Sequence, residues 1–325
     1  MIRSICAVAL ALPCVAFAQS NVTVSGGLVI GYKYTPGKED GTLSKQGIDN
    51  LEAAGNNLTF RGTEDLGNGN SAYFVLNHRF DPSTGMTTGS TFFTNSKLGL
   101  KGSYGDISMG KMWGPVDDLL RRVLDVYMPL GLGTTVYGGP SDAPTRYNGT
   151  LMYVSPEMGG FRFSGAFVPK GNMTSRSQNT SEVAGMYRNG PLSLGLGFTQ
   201  NAGNTASAAN NFKGRDVLTV GGRYDFKKLH LGLTYSRVRA PEQTQRSDRY
   251  SLGTRYLVSP EWTIKAGYEY LEQARTLKAN TVAFGTEYRL SKRTMLFSEV
   301  GHTESDTPAR DDRGATFMLG IAHRF

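Results

Sequence analysis

At 325 residues, with 41 glycines, 10% aromatic residues and a formal charge of +8, the chain is long enough for one large domain. Its basic residues are scattered along the whole length instead of gathered in an arm or a helix, which argues against a nucleic-acid binder. Both cysteines, Cys6 and Cys14, fall in the opening stretch, so structural disulfides are excluded from the rest.

That opening stretch reads as an export signal, with Arg3, an apolar run over 5–17 and the small-residue site Ala16-Phe17-Ala18. The run is too short to cross a bilayer as a helix. Residues 1–18 are therefore expected to be removed, leaving 19–325 as one domain. Cys14 is a poor lipid-attachment site because Leu12-Pro13 precedes it. No later run is apolar enough for a helical span, and a secreted chain rich in glycine and aromatics points to β-structure.

Alternation begins at once. Val22, Val24, Leu28, Ile30, Tyr32 and Tyr34 mark a first strand, and a polar loop follows to about Gly55. Strands are predicted at 57–63 and from Ala72 to Arg79, joined by the tight turn Asp65-Leu66-Gly67-Asn68-Gly69, whose residues accept positive φ. Two more follow at 93–101 and 106–110. Then comes the longest interval without alternation, 112–145. It opens Met112-Trp113-Gly114-Pro115, and Val116, Leu119, Leu120, Val123, Leu124 and Tyr127 recur at helical spacing opposite Asp117, Asp118, Arg121, Arg122 and Asp125. This predicts an amphipathic helix of about three turns, with Pro115 where a first turn tolerates it. Such a stripe on its own is most simply a helix packed on a core.

Eleven further strands are predicted at 147–155, 161–168, 182–188, 192–200, 217–226, 229–238, 250–257, 262–271, 282–290, 294–303 and 314–325. The total is sixteen, an even number. Short connections such as Lys227-Lys228 alternate with long polar ones such as 170–181, so the long loops share one end. Leu218, Val220, Tyr224 and Phe226 oppose Thr219, Gly221, Arg223 and Asp225, and Trp262, Ile264, Ala266, Tyr268 and Tyr270 oppose Lys265, Gly267 and Glu269. In a soluble sandwich the apolar face would be the core; after an export signal it fits lipid outside and water inside. The expected fold is all-β, a sixteen-stranded antiparallel transmembrane β-barrel in the outer membrane.

Several segments resemble the general porins of Gram-negative outer membranes, in particular the trimeric β-proteobacterial family. They are Gln19-Ser20-Asn21-Val22-Thr23, Arg61-Gly62-Thr63-Glu64-Asp65-Leu66-Gly67, Leu98-Gly99-Leu100-Lys101-Gly102, Ser108-Met109-Gly110-Lys111, Tyr153-Val154-Ser155-Pro156 with Gly159-Gly160-Phe161, and the ending Gly320-Ile321-Ala322-His323-Arg324-Phe325. They run in order from one end of the mature chain to the other. The resemblance implies a third external loop, 112–145, folded inward as a constriction, a homotrimer in contact with outer-membrane lipid and lipopolysaccharide, and recognition of the aromatic C-terminus, Phe325, by the barrel-assembly machinery. Lys111-Met112 and the text around Asp117-Asp118 and Arg121-Arg122 depart from the family's usual wording. Physically, Phe325 is also an ordinary residue of a closing strand at the lipid interface.

The function expected is passive diffusion of small hydrophilic solutes and ions through a water-filled channel, with no cofactor, no metal and no nucleic-acid partner. The rivals are a barrel enzyme and an adhesin. Of the four histidines, His78, His230, His302 and His323, none stands in a nucleophile-elbow or metal motif, and an adhesin would need longer external loops. Strand parity turns Arg61, Arg79, Lys97, Arg146, Arg162, Arg223, Arg255, Lys265 and Arg289 inward against few acids, Asp225, Glu269 and Glu287; for 294–303 either face is open. The candidate pore lining is thus Arg61, Arg79, Lys97, Arg146 and Arg162 on the wall, with Asp117, Asp118, Arg121 and Arg122 on the loop, and the balance predicts a modest anion preference.

Overall fold

The computed structural model describes residues 21–37, 43–49, 55–89, 91–128, 130, 146–171, 178–202, 214–240, 246–273, 277–306 and 314–325. The expected signal segment and the far part of the 112–145 loop lie outside these residues.

The strands are β1 (Asn21–Thr35), β2 (Lys45–Asp49), β3 (Asn57–Gly67), β4 (Asn70–Arg79), β5 (Phe93–Gly102), β6 (Gly105–Trp113), β7 (Arg146–Val154), β8 (Phe161–Val168), β9 (Thr180–Asn189), β10 (Leu192–Ala202), β11 (Arg215–Asp225), β12 (Leu229–Arg239), β13 (Ser247–Leu257), β14 (Trp262–Gln273), β15 (Leu277–Arg289), β16 (Thr294–Ser305) and β17 (Gly314–Arg324). Each pairs antiparallel with its neighbours in one sheet. The segment 45–49, expected as loop, is a strand paired to Gly31–Thr35 of β1, while β3 pairs with Asn21–Gly27 lower on the same strand. β2 and β3 therefore share one position beside β1, and seventeen segments make a sixteen-strand circuit.

Closure is made by β1 against β17, with Gly27 opposite Arg324 and Tyr34 opposite Phe317. Phe325 completes the seam: its N–H donates to Gly26 O at 3.1 Å and its carbonyl accepts from Gly26 N at 3.0 Å. Closing the sheet on itself joins its two ends, so strand backbone groups are paired between neighbours, which is the condition for β-structure in lipid. At the tight turn after β3, Gly67, Asn68 and Gly69 all take positive φ (82°, 53° and 76°), as their side chains allow.

Burial is inverted relative to a soluble protein. Leu194, Leu196, Phe198, Leu233, Phe284 and Leu319 are exposed, whereas Thr199, Thr219, Thr234, Ser236, Thr281 and Glu299 are buried. Alternation thus puts apolar residues on the outside and polar ones within. Tyr153, Tyr224, Phe226, Tyr256, Trp262 and Tyr288 lie exposed at the short-turn ends of their strands, forming an aromatic girdle. In β16, where sequence left the face open, Phe297 and Glu299 are buried and Leu296 is exposed.

The loop helix is shorter and wider than expected. Val116–Arg121 is a π-helical turn continued by Arg122–Leu124. Its apolar stripe is buried as read, Val116, Leu120, Leu124 and Tyr127 included, but Asp117 and Asp125 are buried too. A π turn carries more than 3.6 residues, so a helical wheel misassigns the residues at the edges of the stripe.

Candidate channel lining

Between Gly114 and Met128, and again at Leu130, described loop residues contact inward-facing residues of strands from β9 to β16. The start is fixed by Glu182 of β9. Its carboxylate accepts the Val116 N–H at 2.7 Å, the Thr199 hydroxyl at 3.0 Å and the Tyr147 hydroxyl. A carboxylate with 1% exposure is tolerable only because three donors surround it. Gly114 is required at the departure, since a Cβ there would stand 2.5 Å from Glu182 Oε1.

Farther along, wall glycines make the seat. A Cβ on Gly197 would lie 2.5 Å from Val116, on Gly195 2.7 Å from Leu120, on Gly232 2.5 Å from the Leu124 carbonyl, and on Gly253 2.8 Å from Tyr127 N. Arg223 donates to Val123 O at 3.1 Å. At the far end Lys265 donates to Met128 O at 3.1 Å and sits 4.9 Å from the Tyr127 ring centre. Glu299 accepts the Leu130 N–H at 2.9 Å.

Strand parity places Lys265 among the inward-pointing cations. It does point inward, but its side chain is fully covered and held by Glu299 at 2.5 Å and Glu287 at 3.1 Å. Arg255 joins the same cluster through Glu287, and Arg223 is paired with Asp225 at 2.7 Å. These inward cations are matched by wall carboxylates, so parity gives their direction but not their net charge.

The opposite wall is different. Among the described residues no carboxylate forms an ion pair with Arg61, Lys97, Lys111 or Arg146. Arg61 is exposed in mid β3, and Lys97 stands 5.5 Å from the Tyr73 ring centre. A bulge between Gly110 and Met112 offsets the alternation, so Met112 is buried with Met152 and Ala166 while Lys111 reaches Thr91 at 3.1 Å. Arg146 lies with its guanidinium 3.5 Å from the Trp113 ring centre, and Arg122 is 5.3 Å from the same ring. Arg79, Asp117, Arg121 and Arg122 all act electrostatically on Arg146. These residues form one group at the loop root. Arg61 and Arg162 stand apart from it, Arg162 near the short turn that begins β8.

Within the loop, Arg121 pairs with Asp117 at 2.8 Å and Arg122 with Asp118 at 3.5 Å, each partner four residues along. Burial pushes the Asp117 carboxyl above the usual carboxylate range, with Arg121 only partly opposing it. Asp125 is raised by burial too, while its carboxylate accepts the Met128 N–H at 3.0 Å. Sequence reasoning missed Lys111, Trp113, Tyr147, Glu182 and Glu299. The available signal was the set of inward glycines at 195, 197, 221, 232 and 253, which leaves room on a wall for something to be laid upon it. The histidines make ordinary strand and turn contacts: His78 with Phe92 O, His230 with Asp225, His302 with Glu304 and His323 with Thr294.

A closed barrel with an apolar exterior, an aromatic girdle and a polar interior defines a transmembrane channel protein. The profile described as Gram-negative porin matches residues 6–308, and the chain belongs to that family. It is 29% identical to outer membrane porin protein 32 of Delftia acidovorans over 88% of this chain and 84% of that one. It is 24% identical to the major outer membrane protein P.IB of Neisseria lactamica over the full length of both. The fold is similar to the anion-selective porin from Comamonas acidovorans, with a TM-score of 0.79 at 23% identity over 94% of this chain and 100% of that one. It is also similar to the trimer form of OmpT of Vibrio cholerae, with a TM-score of 0.70 at 18% identity over 94% and 99%. The chain is an outer-membrane porin, a diffusion channel. Its relatives are channels, not enzymes.

Proposed function

We propose that the segment 112–145 folds into the barrel as its third external loop and narrows a channel that passes small hydrophilic solutes with a modest preference for anions. The observation carrying this reading is the contrast between two sides of the barrel: described loop residues are held to the β9–β16 side, where Arg223, Arg255 and Lys265 are paired with carboxylates, while Arg61, Lys97, Lys111 and Arg146 on the other side form no ion pair with a carboxylate among the described residues. A charge at a wet constriction acts over about one Debye length, about 8 Å at physiological salt, so unpaired cations beside the loop weight the permeating ions toward anions. The relative titled anion-selective supports the same sign.

The test is the reversal potential of single channels in a low-salt gradient. Arg61→Ala with Arg146→Ala shifts it toward cations, and Asp117→Asn with Asp118→Asn shifts it toward anions. Wild-type potentials in both would show that these residues do not line the constriction. We further propose that the protein is a homotrimer, supported by its broad exposed apolar belt and by the trimeric relative; cross-linking in mild detergent checks this. Cleavage of 1–18 predicts a mature protein starting at Gln19. Phe325, whose backbone closes the seam with Gly26, is the residue offered to the assembly machinery together with outer-membrane lipid and lipopolysaccharide as surroundings. Its deletion lowers the amount of folded barrel in the membrane.

A further inference from the structure

The loop is held in an unusual way for a segment whose side chains are expected to select ions. Four described contacts fix its backbone, and all are made by charged side chains of the wall: Glu182 to Val116 N, Arg223 to Val123 O, Lys265 to Met128 O and Glu299 to Leu130 N. None of the four uses a loop side chain. Backbone groups are the same whatever residue carries them, so this attachment is indifferent to loop sequence.

The far attachment differs from the near one in its chemistry. At the root, Glu182 is surrounded by neutral donors. At the tip, Lys265 is shared: it is 2.5 Å from Glu299, 3.1 Å from Glu287 and 3.1 Å from the Met128 carbonyl. Glu299 in turn accepts the Leu130 N–H, and both side chains are fully covered. Moving the tip away would take one acceptor from Lys265 and one donor from Glu299, and losing hydrogen bonds to charged groups is costly.

We propose that Lys265 and Glu299 are positioning residues for permeation: a wall-borne ion latch that fixes the loop tip, and with it the width of the channel, while the loop's own side chains set only the ion preference. The functional half of this proposal rests on the reading that the loop narrows the channel. It separates two properties usually changed together. Latch variants alter conductance and its steadiness with the reversal potential unchanged; loop charge variants do the reverse.

The experiment uses the full-length porin in planar bilayers with the charge-balanced pair Lys265→Met with Glu299→Gln, which leaves the Arg255 and Glu287 pair in place. Thr281→Val, which removes a hydroxyl pair with Thr303 on the neighbouring strands, serves as the control for general weakening of the wall. Loop position is read independently by Val126→Cys, a site with 1% exposure, in a mature chain expected to have no other thiol. The expected result is loss of the single conductance level, with sublevels and added current noise, an unchanged reversal potential, and faster reaction of the introduced thiol with a small water-soluble alkylating reagent. The control keeps wild-type currents and a protected thiol. A thiol protected equally in wild type and latch variant overturns the latch. A faster thiol with wild-type currents upholds the latch and overturns the constriction. Should the double variant fail to fold, Lys265→Met alone, which removes the donor to Met128 O, is judged by thiol protection and current noise.

Discussion

The two sides of the barrel are built from the same alternating strands and end as different materials. From β9 to β16 the inward residues are glycines, small hydroxyls, paired charges and apolar side chains such as Met186, Val217, Val238 and Phe297 that pack against the loop, and Lys265, Glu287 and Glu299 are almost wholly covered. From β3 to β7, Arg61, Lys97, Lys111 and Arg146 form no ion pair with a carboxylate among the described residues, and Arg61 is exposed. The lesson is that strand parity decides which way a residue points, whereas its electrostatic role depends on what is laid over it. An inward lysine is a bound counter-charge on one side and a source of field on the other.

The strongest way to break this contrast is to fill the seat. Gly232→Val would place atoms about 2.5 Å from the Leu124 carbonyl and against Val126, and overpacking of this kind costs about 1–3 kcal/mol. The barrel is expected to form, with the loop displaced and the single-channel conductance changed. Gly27→Ala, whose nearest atoms are 3.8 Å away, should leave the conductance alone. If Gly232→Val also conducts as wild type, the glycines are not a seat.

A smaller effect is expected from the loop root. Glu182→Leu leaves the Val116 N–H and two hydroxyls without their acceptor, and an unsatisfied buried donor costs about 1–3 kcal/mol. Lys97→Leu on the open wall should change stability by less than about 0.5 kcal/mol. Thermal unfolding in detergent compares the two, and equal losses would remove the distinction between the sides.

The smallest effect is pH-dependent. Burial raises the Asp117 and Asp125 carboxyls, so on acidification they lose their charge before ordinary carboxylates do. The loop then becomes less negative and the anion preference rises, beginning above the usual carboxylate range. The stability sign is the same: the folded protein holds these protons more tightly than the unfolded chain, so this contribution favours the seated loop in acid and is lost as pH rises through the raised values. Asp117→Asn should flatten the first part of the change in reversal potential; an unaltered titration would show that Asp117 is not felt by permeating ions.

Most of the wall was legible in the sequence because a lipid-facing strand writes its environment at period two, as in Leu218 and Val220 against Thr219 and Gly221. The β2 strand was not, since Lys45-Gln46-Gly47-Ile48-Asp49 lacks an apolar face and is defined by its pairing with β1. The loop's apolar stripe was legible at Val116, Leu120 and Leu124, but the helical spacing puts Asp117 and Asp125 on the opposite face, whereas both are buried beside a π turn that a 3.6-residue wheel does not describe. Glu182 and Glu299 could not be identified as loop anchors: their partners are backbone N–H groups from 66 and 169 residues away, which no local pattern records.

The central claim is that one wall is covered and the other is wet, and paired thiol accessibility tests it most directly. Lys97→Cys and Thr234→Cys place one thiol on each side, the second at a residue with 3% exposure beside the loop helix. A small charged thiol reagent added to conducting channels should react with the Lys97→Cys protein and change its current promptly, while the Thr234→Cys protein keeps a steady current and an unmodified thiol. Equal rates of modification at the two sites would contradict the account.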